Sequence, residues 1–312
     1  MDDRSQPAAV PSGERQPQRE SQLPLWPAER VARGTESPES SEAAPDAVLS
    51  GPPAPPISSE PAEPSAALPA AVPWTLADLA RFVLFAGAAT ILLMTIVATG
   101  YALLRQAFGW TARPEAALGQ VPVMLSIQVA AEGLCVLFIY FTITRKYRRD
   151  FWEAIRWVRR RDQEPSFFVA GVGLAVALQL VSNLFPPEQR LPVEDWFSST
   201  AAAYLVAVVG ICVAPFVEEL VFRGFFYPVF ERCWGLRAAV LLTAILFAVI
   251  HGAQLAWSWK EVSAIFVVGL LLSYARGRTG SLVPSYLMHL AYNASLFVSL
   301  FLTTDQFRNL QG

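Results

Sequence analysis

The chain has 312 residues and a formal net charge of −2, with 54% hydrophobic and only 16% charged residues. Soluble globular chains are about 45–50% apolar and about 25% charged, so the apolar excess points to a membrane protein. The lack of a basic excess speaks against nucleic acid as a partner.

Residues 1–73 differ from the rest of the chain: they hold 15 of the 24 prolines, many Ser, Glu, Gln and Ala, and one aromatic residue, Trp26. Such a segment buries too little apolar surface to offset its ordering entropy, and the reading is a disordered Pro-rich tail. It is not read as a signal peptide, because no apolar core follows Asp2, Asp3 and Arg4.

From Trp74 onward, apolar stretches follow one another with short polar breaks. A helix crossing about 30 Å of hydrocarbon needs about 20 apolar residues. Stretches at roughly 78–104, 119–144, 167–185, 200–232, 237–255, 261–276 and 281–303 predict an all-α, polytopic transmembrane helix bundle of about seven spans. Residues 74–166 then hold the first two spans and a basic loop, and 167–312 the remaining spans. The loop 145–162 carries Arg145, Lys146, Arg148, Arg149, Arg156, Arg159, Arg160 and Arg161, which marks its side as cytoplasmic and places the N-terminus there too. Trp74, Trp110, Trp152, Trp157, Trp196, Trp234, Trp257 and Trp259 fall near span ends, as in an interfacial aromatic belt. Trp152, Ile155, Trp157 and Val158, interleaved with the arginines, leave room for a short helix on the headgroups. The scattered Cys135, Cys212 and Cys233 lack CxxC spacing and read as small buried apolar residues.

Charged groups within the apolar stretches are the informative ones. Each costs about 2.5 to 3.5 kcal/mol near the bilayer centre and is normally retained for a role. The fourth stretch contains Glu218, Glu219 and Arg223. Glu219 and Arg223 have the i,i+4 spacing of an intrahelical ion pair. Glu218 points about 100° away around the helix and stays free to act. The fifth stretch brings Phe247 and His251, and the last brings His289 and Asn293, again one turn apart. These are both histidines of the chain. If the fourth helix continues past Pro228 to Arg232, before the Trp234–Gly235 break, Glu218 and His251 each lie 14 residues, or about 21 Å, along their helices. His289 lies shallower, 8 residues or about 12 Å past Ser281.

A carboxylate with two imidazoles can activate water in two ways. One is metal-assisted, with Glu218, His251 and His289 as ligands of a divalent ion such as zinc. The other is metal-free, with Glu218 as general base, His251 holding the water, and His289 and Asn293 stabilising the oxyanion. Phe222 and Phe247 wall the pocket. The residues do not choose between the routes.

The three motifs, Glu218-Glu219 with Arg223, Phe247 with His251, and His289 with Asn293, resemble the CPBP family of CAAX-protease and bacteriocin-processing membrane proteins over about residues 200–303. The resemblance implies a helical intramembrane endopeptidase of a prokaryotic plasma membrane, with its site open to the cytosol and a membrane-associated protein or peptide as substrate. It also implies that Glu218 activates water and that Glu219, Arg223, His251, His289 and Asn293 complete the site. Two other classes compete: a scaffold or immunity protein in which the same groups hold helices together, and an ion-coupled transporter. No inverted repeat supports the last.

Overall fold

The computed structural model describes residues 72–111, 113–159, 161–185 and 190–309, and these form helices and connecting turns without a strand. Nearly all of the expected disordered tail, and Arg160 of the basic loop, lie outside the described residues.

Helix α1 (Leu76–Phe108) opens on Thr75 and closes on Gly109, whose left-handed backbone (φ 68°) ends the helix. At its first turn the buried carboxylate of Asp78 accepts from the Thr75 amide (2.9 Å), Arg81 (3.1 Å), Tyr147 Oη (2.6 Å) and Lys146 Nζ. Lys146 and Tyr147 belong to the end of the second span, where α2 (Val121–Phe141) runs on into a π turn, Thr142–Lys146. One acidic side chain therefore pins the two spans together at one end.

After α3 (Glu164–Leu184) comes a continuous 52-residue run, Thr200–His251, built of α4 (Thr200–Val208), a π turn (Val209–Val213), α5 (Ala214–Glu219), a second π turn (Leu220–Phe226) and α6 (Tyr227–His251). The run turns back at Gly235 (φ 78°, ψ 172°), a conformation that glycine alone adopts cheaply. Helices α7 (Trp259–Thr279) and α8 (Leu282–Thr303) complete the bundle. Among the described residues five segments are long and apolar enough to cross a membrane, where the sequence predicted about seven. The fourth and fifth predicted spans are one run, and the sixth, α7, carries Lys260, Glu261, Arg276 and Arg278. The outward faces expose Leu84, Ile91, Val169 and Leu302, as a lipid-facing surface requires.

Each of the two π turns within the run Thr200–His251 is followed by a proline, and the two features share a cause. In the first, the Ala214 amide donates to Val209 O, five residues back; in the second, the Tyr227 amide donates to Phe222 O. The next donors in register would be residues 215 and 228. Both are prolines and have no N–H. Gly210 O and Arg223 O therefore lose their partners. The gaps are filled from other helices: Asn293 Nδ2 donates to Gly210 O (2.8 Å) and Arg276 Nε to Arg223 O (3.2 Å). The fourth helix thus continues past Arg223 through Pro228, as the depth argument required.

Three expectations need correction. Trp74 is not interfacial: it is fully buried, donates to Phe225 O (2.8 Å) and stacks on the Phe225 ring. Beyond the π turn that ends at Lys146, the described residues of the basic loop are helical over Phe151–Ala154. Its Ile155 is buried and Trp157 packs on Phe216 and Tyr286, because Ser281 Oγ and the Leu282 amide draw the backbone of residues 156–158 onto the start of α8. Cys212 and Cys233 are exposed rather than buried.

The carbonyl account predicts a coupling. Arg276→Leu should destabilise the protein by about 1–3 kcal/mol through the orphaned Arg223 O. In a Pro228→Ala background, where residue 228 regains an N–H, the same change should cost at least about 1 kcal/mol less. Thermal or denaturant unfolding of the four proteins in one detergent measures this, and additive losses would refute the account.

Candidate active site

The second π turn begins directly after Glu219, so the Glu pair closes α5 and Arg223 lies within the wider turn. Glu219 and Arg223 have no solvent exposure, and Arg223 Nη1 donates to Glu219 Oε1 at 2.9 Å. The other guanidinium donors go to α7: Nη2 to Gly269 O (3.1 Å) and Nε to Ser273 Oγ (3.3 Å). Gly269 also lets α7 pack closely on α6, since a Cβ there would stand 3.1 Å from Ala244 Cα. The guanidinium also lies over the Phe247 ring, 4.5 Å from its centroid.

His289 is buried on α8, and its Nδ1 lies 3.1 Å from Glu219 Oε1, the same oxygen that accepts from Arg223. His251, at the end of α6, has its Nδ1 2.7 Å from Phe247 O. A carbonyl only accepts, so the His251 proton sits on Nδ1 and Nε2 is left for the site. The Nε2 atoms of both histidines face Glu218, His251 at 3.8 Å from Oε1 and His289 at 3.7 Å from Oε2. Both gaps exceed a direct hydrogen bond and suit a bridging water. The Glu218 side chain is 21% exposed against 0% for Glu219, so the two adjacent carboxylates occupy opposite environments.

Glu218 and His251 line a cavity of about 700 Å³ together with Phe222 and with residues of α1 and α2, including Phe82, Met94 and Gln128. The volume lies within the range of about 300–1,000 Å³ for small-ligand sites. Phe247 does not line it. It is buried behind the site, with its ring 4.7 Å from that of His251, 5.7 Å from that of His289 and 5.3 Å from that of Phe222.

All the predicted residues except Asn293 therefore gather around Glu218 and Glu219. Despite its shallower predicted depth, His289 reaches Glu218. Asn293, one turn further along α8, spends an amide N–H on Gly210 O. Among the described residues, no group of three His, Cys, Asp or Glu side chains is placed to hold a metal ion, so the metal-assisted route draws no support from this geometry.

Sequence reasoning missed Gly269 and Ser273. The signal was the small-residue spacing Gly269, Ser273, Gly277 on α7, a pattern that lets helices approach closely in membranes.

Fold and site define a polytopic helical membrane protein with a buried Glu–Arg–His centre beside a second glutamate that opens on an apolar cavity. Residues 200–295 match the model of the Rce1-like type II CAAX prenyl endopeptidases. The chain is 35% identical over 80 residues to an uncharacterised 24.3 kDa protein of Escherichia coli, covering 25% of this chain and 36% of that protein. It is 32% identical over 132 residues to the UPF0177 protein YbdI of Lactococcus lactis subsp. lactis (strain IL1403), covering 42% of this chain and 69% of that protein. The chain thus spans about a third of the first relative and about two thirds of the second. No solved structure matches it. The chain belongs to the CPBP family, and its Rce1-like domain contains every residue of the centre.

Removing half of the buried pair should be far costlier than removing an exposed charge. Arg223→Ala is expected to lose about 3–5 kcal/mol, with Glu219 left uncompensated. Arg223→Lys should recover only part of this, because an ammonium cannot serve Glu219, Gly269 O and Ser273 in the same geometry. Unfolding midpoints in detergent check both.

Proposed function

We propose that the protein is an intramembrane endopeptidase that hydrolyses peptide bonds of membrane-associated proteins or peptides with a water activated by Glu218. The observation that carries this reading is the approach of two imidazole Nε2 atoms to the two oxygens of one partly open glutamate, at the wall of an apolar cavity. The Rce1-like match over the same residues supports it.

In this reading the water sits to one side of the three atoms, within hydrogen-bond reach of each. Glu218 takes its proton as the oxygen attacks the scissile carbonyl carbon. His251 Nε2 accepts the water's other hydrogen, which its Nδ1–H bond to Phe247 O leaves it free to do. His289, held through Nδ1 by Glu219, turns its Nε2 toward the oxyanion and stabilises it. The C–N bond then breaks, and the proton on Glu218 passes to the leaving amine. Arg223 neutralises Glu219 and keeps it from competing as the base. Asn293 acts through the backbone of the first π turn, by closing Gly210 O, rather than at the reacting atoms.

The test is cleavage of a quenched-fluorescence membrane peptide by purified protein in liposomes. Glu218→Gln should lower the rate by about 10²–10⁴-fold while the unfolding midpoint stays within a few degrees. Equal rates would overturn the reading, and parallel loss of stability and function would favour a scaffold role for the same groups.

A chelator strong enough to strip zinc should leave the wild-type rate within about twofold. A rate abolished by the chelator and restored by zinc would move the reaction to the metal-assisted route.

A further inference from the structure

Beyond the Glu/His centre, the cavity lining contains one more carboxylate that the mechanism does not use. Glu132 lies midway along the apolar span Val121–Lys146, on the α2 wall of the cavity that Glu218 and His251 line. One oxygen, Oε1, accepts from Gln128 Nε2 at 2.9 Å, one helical turn away. That bond orients the carboxyl group. The other oxygen, Oε2, is buried and has no hydrogen-bond partner among the described residues.

The residues lining the cavity include two glutamates, Glu132 and Glu218, and one histidine, but no lysine or arginine. Arg223, the cation nearest in sequence to the centre, is committed to Glu219, Gly269 O and Ser273. A carboxylate in such surroundings is costly unless something brings a donor to it. Glu219, which holds the bundle, has a cation and an imidazole on its Oε1, although its Oε2 also has no hydrogen-bond partner among the described residues. Glu132 has only a neutral amide donor, from Gln128, and an unpartnered Oε2 on a side chain that lines a space a substrate must enter.

We propose that Glu132 anchors a subsite that receives a cationic side chain, lysine or arginine, of the substrate peptide, so that the enzyme selects peptides with a basic residue close to the bond presented to Glu218. This rests on the endopeptidase reading. Gln128 positions the carboxylate, and the apolar walls contributed by Phe82, Met94 and Val221 receive the methylene stem of such a side chain. The pairing works as charge-assisted hydrogen bonding against largely apolar walls, where its contribution to discrimination exceeds that in bulk water.

The experiment uses a series of quenched membrane peptides on a Leu/Ala helix, each with one lysine at a successive position, and counterparts with norleucine in its place. Wild-type protein should cleave one lysine isomer at least tenfold faster than its norleucine counterpart. In Glu132→Gln the ratio should fall to about one, whatever the absolute rates. In Glu132→Lys the preference should pass to a peptide with glutamate at that position. A wild-type ratio near one, a ratio that survives Glu132→Gln, or equal losses on both peptides (the mark of a proton-transfer or structural role) would overturn the proposal.

A binding measurement separates this from failure of the endopeptidase reading. Full-length Glu218→Gln protein should bind the preferred lysine peptide about tenfold tighter than the norleucine one by fluorescence anisotropy, and the Glu132→Gln, Glu218→Gln double variant should not discriminate. If cleavage is absent in every protein while this discrimination holds, the subsite stands and the hydrolytic reading falls.

Discussion

The site depends on one interaction, the fully buried pair of Glu219 and Arg223. Two charges removed from water are stable only if their remaining hydrogen-bonding capacity is met. For Arg223 the second and third acceptors come from α7, through Gly269 O and Ser273, so the pair locks α7 against the long central run. For Glu219 the second donor is His289 of α8. The ring orientation of His289, and with it the approach of Nε2 to Glu218, follows from that bond. Phe247 occupies the space between these groups, with its ring under the guanidinium and against both imidazoles. It shields the pair from water, where the attraction would be weakest.

The prolines spread this constraint through the bundle. A proline in a helix normally leaves a carbonyl unpaired, and within a bilayer an unpaired carbonyl is especially costly. Here each proline sits at the end of a π turn, and the carbonyl it orphans is closed by a side chain from α7 or α8. Arg276 therefore holds the backbone of Arg223 while Ser273 and Gly269 hold its side chain. The backbone irregularity and the buried charge share one partner helix. Widened turns of this kind cluster at functional sites because they turn side chains out of α register.

Much of this was legible in the sequence, for identifiable reasons. Charge within apolar stretches, i,i+4 spacing and helical rise are local quantities. They led to the Glu219–Arg223 pair, to the continuation of the helix past Pro228 and to the turn at Gly235. What stayed hidden was non-local. No propensity marks a π turn, so the partners that Asn293 and Arg276 would find could not be read. A tryptophan near a span end looks interfacial until a distant carbonyl, Phe225 O, claims its indole N–H. The basic loop looked like a positive-inside signal with room for a short helix on the headgroups, yet the start of α8 draws Ile155 and Trp157 inward. The count of about seven spans differs from the five segments found among the described residues because the fourth and fifth stretches form one run and α7 carries polar groups, Ser273 and Arg276, within a weakly apolar helix.

The insertion-cost argument that singled out Glu218 applies with equal force to Glu132, which no motif highlights. The difference between the three glutamates lies in how each charge is balanced. Glu219 is neutralised within the bundle by Arg223. Glu218 faces two imidazoles at 3.8 and 3.7 Å, just beyond direct hydrogen bonding. Glu132 is half-satisfied by a neutral amide. The three thus form a graded series in an apolar bundle, from a charge that holds the helices, to one poised for proton transfer, to one left open to an incoming group. A single membrane cavity acquires distinct chemical regions by controlling which carboxylates are paired rather than by varying the residue type.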